Sequence, residues 1–250
     1  LADKPLELRE HYCTLFVGGP RNAVMNQMRI GLAAMDLGYF EDAEAAFDGA
    51  LQRIERVYAN DEKAKLAKSK WHAEAVKDFK GEPYERAMAY FYRGMLYLRE
   101  GDYENARATF LAGEFQDSVS ETEEFSSDFA VLNYLAGWAS HCAGDPVLAE
   151  RYYAEASRHN SSLAPAPAGS NLLLIADAGA APIKTGSGKY KERLEFRPNP
   201  ASSDLSASFV IAAKGSAAKP QQVTATEATD VFWQASTRGG RPIESILNGK

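Results

Sequence analysis

Apolar and small residues recur at helical spacing on both sides of a short polar turn at residues 100–103. Before the turn they are Phe91, Met95 and Leu98; after it they are Ala106, Phe110 and Gly113. That period marks helices with one buried face, so residues 88–115 read as two helices folded back on each other. One such pair cannot bury its apolar faces alone and needs others stacked beside it. The sequence supplies them. The spacing Gly94, Gly101, Ala106, Phe110, Gly113 recurs upstream as Gly31, Gly38, Ala43, Phe47, Ala50 and downstream as Gly137, Gly144, Ala149, Tyr153, Ala156. The first glycine leaves room where two helices cross closely. The second supplies a left-handed residue that ends the first helix. The Ala, aromatic and small positions form the stripe by which the second helix packs on the first.

These patterns place helix pairs near 23–58, 84–115 and 129–159. Asn22 is the expected N-cap of a helix over 23–37, followed by a helix over 41–58. Leu6, Leu15 and Phe16 are expected to pack on the first pair. Residues 60–82, rich in Lys and Ala, read as a helical insertion with Trp71, Val76 and Phe79 as contacts. Gly81 ends it, and Pro83 suits the first position of the next helix. The acidic stretch 116–128 reads as a loop, and 161–170, SSLAPAPAGS, as a linker. Beyond it the period changes to two. Residues 172–175 are a short apolar run suited to a buried strand. Residues 189–197, 206–212 and 231–235 are further strand-like runs separated by turn clusters. Arg241 and Pro242 would begin a closing helix to about 248. The reading is α+β: an all-α repeat region over 1–160 and a small β-rich region over 171–250.

The three copies, with GYFEDA at 38–43 and GDYENA at 101–106, resemble the tetratricopeptide repeat. The resemblance implies a superhelix whose first helices line a concave groove. The third copy, GDPVLA at 144–149, carries Pro146 where the aromatic stands in the other two. The copies are 63 and 43 residues apart (31 to 94, 94 to 137), whereas regular arrays repeat at about 34. The block over 77–107, KDFKGEPYERAM followed by GDYENAR, is similar to a family of bacterial repeat proteins often predicted to be lipoproteins. Segments like 172–182 and 237–247 occur in that family as well. The resemblance implies a place in the bacterial cell envelope, facing the periplasm, with a lipid anchor upstream of Leu1 as one means of attachment. A cytoplasmic location stays open. It implies no chemistry.

Charge and composition narrow the function classes. The net charge of −6 argues against nucleic acid as a partner. The acid is concentrated in residues 1–165, with 18 Lys and Arg against 27 Asp and Glu; the remainder has 10 against 7. No run of about 18 apolar residues is present to span a membrane. Cys13 and Cys142 make no disulfide framework. Residues 186–189, GSGK, lack the upstream Gly, the following Ser/Thr and the helix of a phosphate loop, so a hairpin turn is favoured. His11 with Cys13, and His141 with Cys142, lack a third ligand at useful spacing. No catalytic residues, metal site or cofactor is expected.

The better candidate is the face presented by the first helix of each pair: Met28, Arg29 and Leu32; Phe91, Tyr92, Met95 and Arg99; Tyr134, Trp138 and His141. An aromatic, Met-rich surface with a few cationic heads suits an extended peptide or an amphipathic helix. The competing reading is that this groove is filled by the insertion or by the C-terminal region. Arg238 and Arg241, around a Gly pair, are candidate contacts for an anion. The leading expectation is a non-enzymatic scaffold that binds a peptide or protein partner. The alternative is an enzyme, or enzyme accessory, acting on an envelope polymer at an interdomain cleft, with Arg29, Arg99, His141 or Arg241 converging there. An oligomeric structural subunit is a third reading.

Overall fold

The computed structural model describes residues 1–59, 81–118, 129–189, 193–202, 206–212, 219–236 and 241–242. The expected insertion, apart from residues 81 and 82, lies outside them. So do Arg238, residues 119–128 of the acidic loop and residues 243–248 of the expected closing helix.

Three helical hairpins form the body: α2 (Ala23–Leu37) with α3 (Phe40–Ala59), α4 (Pro83–Glu100) with α5 (Tyr103–Ser118), and α6 (Ala130–Cys142) with α7 (Pro146–His159). Within each, the first glycine lies under the aromatic ring. A Cβ built on Gly31 would stand 2.5 Å from Phe47, on Gly94 2.3 Å from Phe110, and on Gly137 2.7 Å from Tyr153. Phe47 and Phe110 are fully buried. The second glycines, Gly38, Gly101 and Gly144, all have φ of +78°. The three turns close with the same hydrogen bond, from Tyr39 N to Ala34 O, Asp102 N to Tyr97 O and Asp145 N to Ser140 O. That is the bond a left-handed residue at the helix end creates. The aspartates then cap the second helices: Asp102 accepts from Asn105 N and Asp145 from Leu148 N. Successive pairs stack through α3 on α4 and α5 on α6.

Helix α4 begins at Pro83, as expected. Glu82 forms a capping box with Glu85, whose carboxylate accepts from Glu82 N at 2.7 Å. Arg86 reaches back to Gly81 O at 2.8 Å and across to Gln116 at 3.1 Å, so part of the 77–107 block closes the start of this helix.

A further helix, α1 (Arg9–Gly18), follows a 3₁₀ turn over Leu6–Leu8 and rests on α2. The N-terminal contact differs from expectation. Leu6 and Phe16 are exposed at 73% and 86%, and Leu15 is half-buried; the fully buried residue is Leu8, among Ala34, Ala43, Phe47 and Leu96. Lys4 and Tyr12 fix the segment by sharing the Asp42 carboxylate at 2.8 and 2.7 Å.

The C-terminal region contains two small antiparallel sheets. One has the order β1 (Ile183–Ser187), β2 (Arg193–Arg197), β5 (Arg241–Pro242); the other pairs β3 (Ser208–Ile211) with β4 (Gln221–Thr224). The GSGK segment runs out of β1 into the connection to β2, with Gly188 at φ +88°, as a hairpin reading requires. Three strand-level expectations are corrected. Residues 172–175 take no regular structure, because Leu173 and Ile175 pack on a helical face instead of entering a sheet. Residues 231–235 lie in a short helix, α8 (Val231–Ser236), started by Asp230, which accepts from Phe232 N at 2.8 Å. Arg241 and Pro242 pair with Leu194 and Arg193 as strand β5 rather than opening a helix; a proline is tolerated at such an edge. Among the described residues from 171 onward only Gln234 and Ala235 are buried. The described apolar residues Leu173, Ile175, Phe196 and Val231 of this region take their support from the helices.

Candidate functional site

The ten candidate residues of the inner face sit on α2, α4 and α6, and the structure separates them into a covered group and an open one. Over α4 and α6 a cluster of Tyr84, Ala87, Phe91, Leu132, Leu135, Ala136 and Ala139 is buried. Leu173, Ile175, Phe196 and Val231 of the C-terminal region pack against it. Phe91 and Trp138 are therefore buried, at 6% and 7% exposure, where the sequence reading has them on an exposed face.

The covering segment, residues 170–177, is held at both ends. At one end Ser170 O accepts from His141 Nε2 at 2.8 Å, and the His141 ring stacks on Trp138 with centroids 5.3 Å apart. A carbonyl partner requires the proton on Nε2 and so fixes the tautomer of the neutral ring. At the other end the Tyr92 hydroxyl donates to the Asp177 carboxylate. Tyr92 stacks on Phe47 at 5.8 Å and meets Phe91 edge-on at 5.1 Å. Burial first, then the bond to Asp177 and its charge, push the Tyr92 phenol far above its ordinary range. Between these anchors Leu173 and Ile175 turn inward while Leu172 and Leu174 are exposed at 64% and 39%. The strap thus lies on the helices as an alternating segment would lie on a receptor.

The sheet continues the cover. Phe196 of β2 meets Tyr84 edge-on at 5.7 Å, and Lys184 of β1 reaches Glu85 at 2.8 Å. Met95 packs at the edge of the same cluster. Tyr134 instead belongs to a small group with Ala130, Ala156 and Leu163, its ring 5.0 Å from that of Tyr153. Leu163 is buried, and its carbonyl accepts from the Ser157 hydroxyl at 2.7 Å, so the expected linker is pinned to α7.

The open group is smaller. Arg29 is exposed and Leu32 is 37% exposed. Met28 fills space beside Val24, Ala50, Leu51, Ile54, Ala89 and Tyr90. Arg99 is drawn away from the others: its guanidinium lies 3.6 Å over the Phe40 ring. Of the anion candidates, Arg238 is outside the described residues, and Arg241 is placed only by its backbone pairing in β5. Arg29, Arg99 and His141 have separate settings: Arg29 is exposed, Arg99 lies over Phe40, and His141 holds Ser170 O. Cys13 is exposed and Cys142 half-buried, and neither is in a disulfide. No group of three or more His, Cys, Asp or Glu side chains placed to hold a metal occurs among the described residues, and no helix there is long and apolar enough to cross a membrane.

The residues that sequence reasoning left out of the site are Ser170, Leu173, Ile175, Asp177, Phe196 and Val231. The available signal was the apolar run at 172–175 itself, assigned to a buried strand because the run is short and apolar throughout. Comparison of the chain with protein-family models, curated proteins and solved structures finds no match.

Proposed function

We propose that this protein is a non-enzymatic interaction scaffold, built of tetratricopeptide-like helix pairs, that binds an extended peptide segment of a partner protein along its inner face in the bacterial cell envelope. The observation that carries the reading is the strap. Two inward apolar side chains flanked by two polar anchors are how an extended peptide is held, and the inner face of α4 and α6 holds residues 170–177 in that way. The chemistry of the face therefore suits such a ligand. The partner's segment would use the uncovered part at Arg29 and Leu32 of α2 and would extend toward Tyr92 by taking the strap's place. The apolar lining under the strap supports a scaffold over a cleft enzyme, because a catalytic cleft needs converging polar groups. The envelope location rests on the resemblance of the 77–107 block.

The test is selection from a displayed library of random extended peptides with the intact protein. A recurrent motif with apolar residues at alternate positions is expected. Its enrichment should fall at least about tenfold, or ~1.4 kcal/mol, in the Arg29→Glu and Leu32→Asp variants. No recurrent motif, or one indifferent to both substitutions, would remove the proposal.

A further inference from the structure

A cavity lies apart from the inner face. It has a volume of about 340 Å³ and is lined by residues from three places: His159, Asn160 and Ser162 at and just beyond the end of α7; Thr226, Glu227 and Asp230 on the way to α8; and Trp233 on α8. None of the inner-face candidates lines it. We infer that this cavity is a binding site for an organic cation of the guanidinium or ammonium class.

Three features of different origin select that charge. Trp233 keeps 55% of its surface exposed in the cavity wall, although a large aromatic side chain is normally buried where packing allows. An indole face attracts a cation through its quadrupole. Glu227 and Asp230, both exposed, are the acidic residues of the same wall. The basic residues that end α7 face Glu155: Arg158 at 2.6 Å, and His159, which lines the cavity, at 3.5 Å. Finally, the cavity lies at the C-terminal end of the 14-residue helix α7, the negative pole of its dipole. The two positive helix ends beside it are capped from within the protein: Thr229 Oγ1 accepts from Val131 N at 3.2 Å, and Asp230 from Phe232 N at 2.8 Å. An anion would therefore meet two carboxylates and find the neighbouring helix N-termini occupied.

The cavity is also built. Asn160 Nδ2 donates to the carbonyls of Glu227 and Ala228 at 2.8 and 3.2 Å, and Asn160 Oδ1 accepts from Ser162 N at 3.0 Å. These bonds hold the segment bearing Glu227 against the end of α7. On this inference a long basic side chain would lay its stem along the indole of Trp233 and bring its head to Glu227 and Asp230. Ser162 and Thr226 hydroxyls stand in the same wall.

The test uses the full chain labelled with 5-fluorotryptophan. The three tryptophans give separate fluorine resonances, and Trp233→Phe assigns the one at the cavity. Three probes are titrated: agmatine, an acetylated Gly-Arg-Gly amide, and the same peptide with Gln for Arg. The Trp233 resonance is expected to move saturably with the two guanidinium probes and to stay with the Gln peptide. Glu227→Gln, at an exposed side chain, should weaken both by at least about tenfold without changing the melting temperature. Tighter binding of the Arg peptide identifies a basic side chain on a partner chain; equal or tighter binding of agmatine identifies a free organic cation. Equal response to the Gln peptide, no saturation by about 10 mM, or unchanged affinity in Glu227→Gln overturns the inference. Arg29→Glu and Leu32→Asp leave these titrations unchanged, so a failed peptide selection at the inner face does not decide this result.

Discussion

At each of the three hairpin crossings one glycine meets one aromatic ring, and this contact sets the distance between helices. Alanine at Gly94 gains up to ~1 kcal/mol of helix propensity, but its Cβ would stand 2.3 Å from Phe110, inside a fully buried cluster. Overpacking of that kind costs about 1–3 kcal/mol. Gly94→Ala should therefore destabilise the protein by about 1 kcal/mol in urea denaturation, and the loss should shrink in a Phe110→Leu background; a neutral or stabilising result would contradict the close approach. A second residue-scale effect lies between the first two pairs. Burial, then a hydrogen bond that the protonated Glu44 carboxyl donates to Glu100 and the charge of Glu100, raise the Glu44 carboxyl above its ordinary 4.5, against the opposing pull of Arg93. A carboxyl raised in the folded state penalises folding once the pH exceeds its unfolded value, and the penalty is complete above the folded value. Glu44→Gln is expected to raise the melting temperature at neutral pH, with the gain fading as the pH falls toward 4.5. A gain that persists unchanged into acid would show that charge is not its origin.

The elements owe their positions to contacts that cross the chain. The N-terminal turn and α1 are held by Leu8, which has no exposed surface and fills the space between Ala34, Ala43, Phe47 and Leu96. Leu8→Ala should cost about 2–5 kcal/mol, far more than the same change at the exposed Leu6, and denaturation of the two variants side by side checks this. The strap is held more lightly. Removing the Tyr92 hydroxyl with Tyr92→Phe deletes one charge-assisted bond to Asp177 at a partly exposed end. The expected loss is ~1 kcal/mol, read as about fivefold faster hydrogen exchange at residues 173–177 with the helices unaffected. If exchange quickens equally in α4 and α6, the strap is an integral part of the core rather than a separable cover.

For the whole molecule, the described C-terminal region and the helices share one apolar cluster. Among the described side chains of the β strands none is buried, and two- and three-stranded sheets of this size have little stability alone. Truncation after residue 160 should expose the surface around Phe91, Leu132 and Leu135 and produce dye binding and self-association, which light scattering would detect. A monomeric, cooperatively melting fragment would instead mean that the helix pairs close over their own inner face.

Sequence alone settled what is local. The Gly–Gly–Ala–aromatic–small spacing determined three hairpins, because a helix crossing needs a missing Cβ and a left-handed turn needs glycine, wherever the chain goes next. Pro83 and Pro146 mark helix starts for similarly local reasons. Sequence did not determine which apolar residues meet across long separations. Leu8 and Leu6 are the same residue two positions apart, and only the placement of α2, α3 and α4 decides which is buried. Residues 172–175 have the composition of a strand, but a strand is defined by its neighbour, and here the neighbour is the face of α4 and α6. The aromatic inner face was legible from Phe91, Tyr92 and Trp138. That its occupant is the protein's own residues 170–177 was decided by the tertiary structure, because the contacts between Tyr92 and Asp177 join positions 85 apart in the chain.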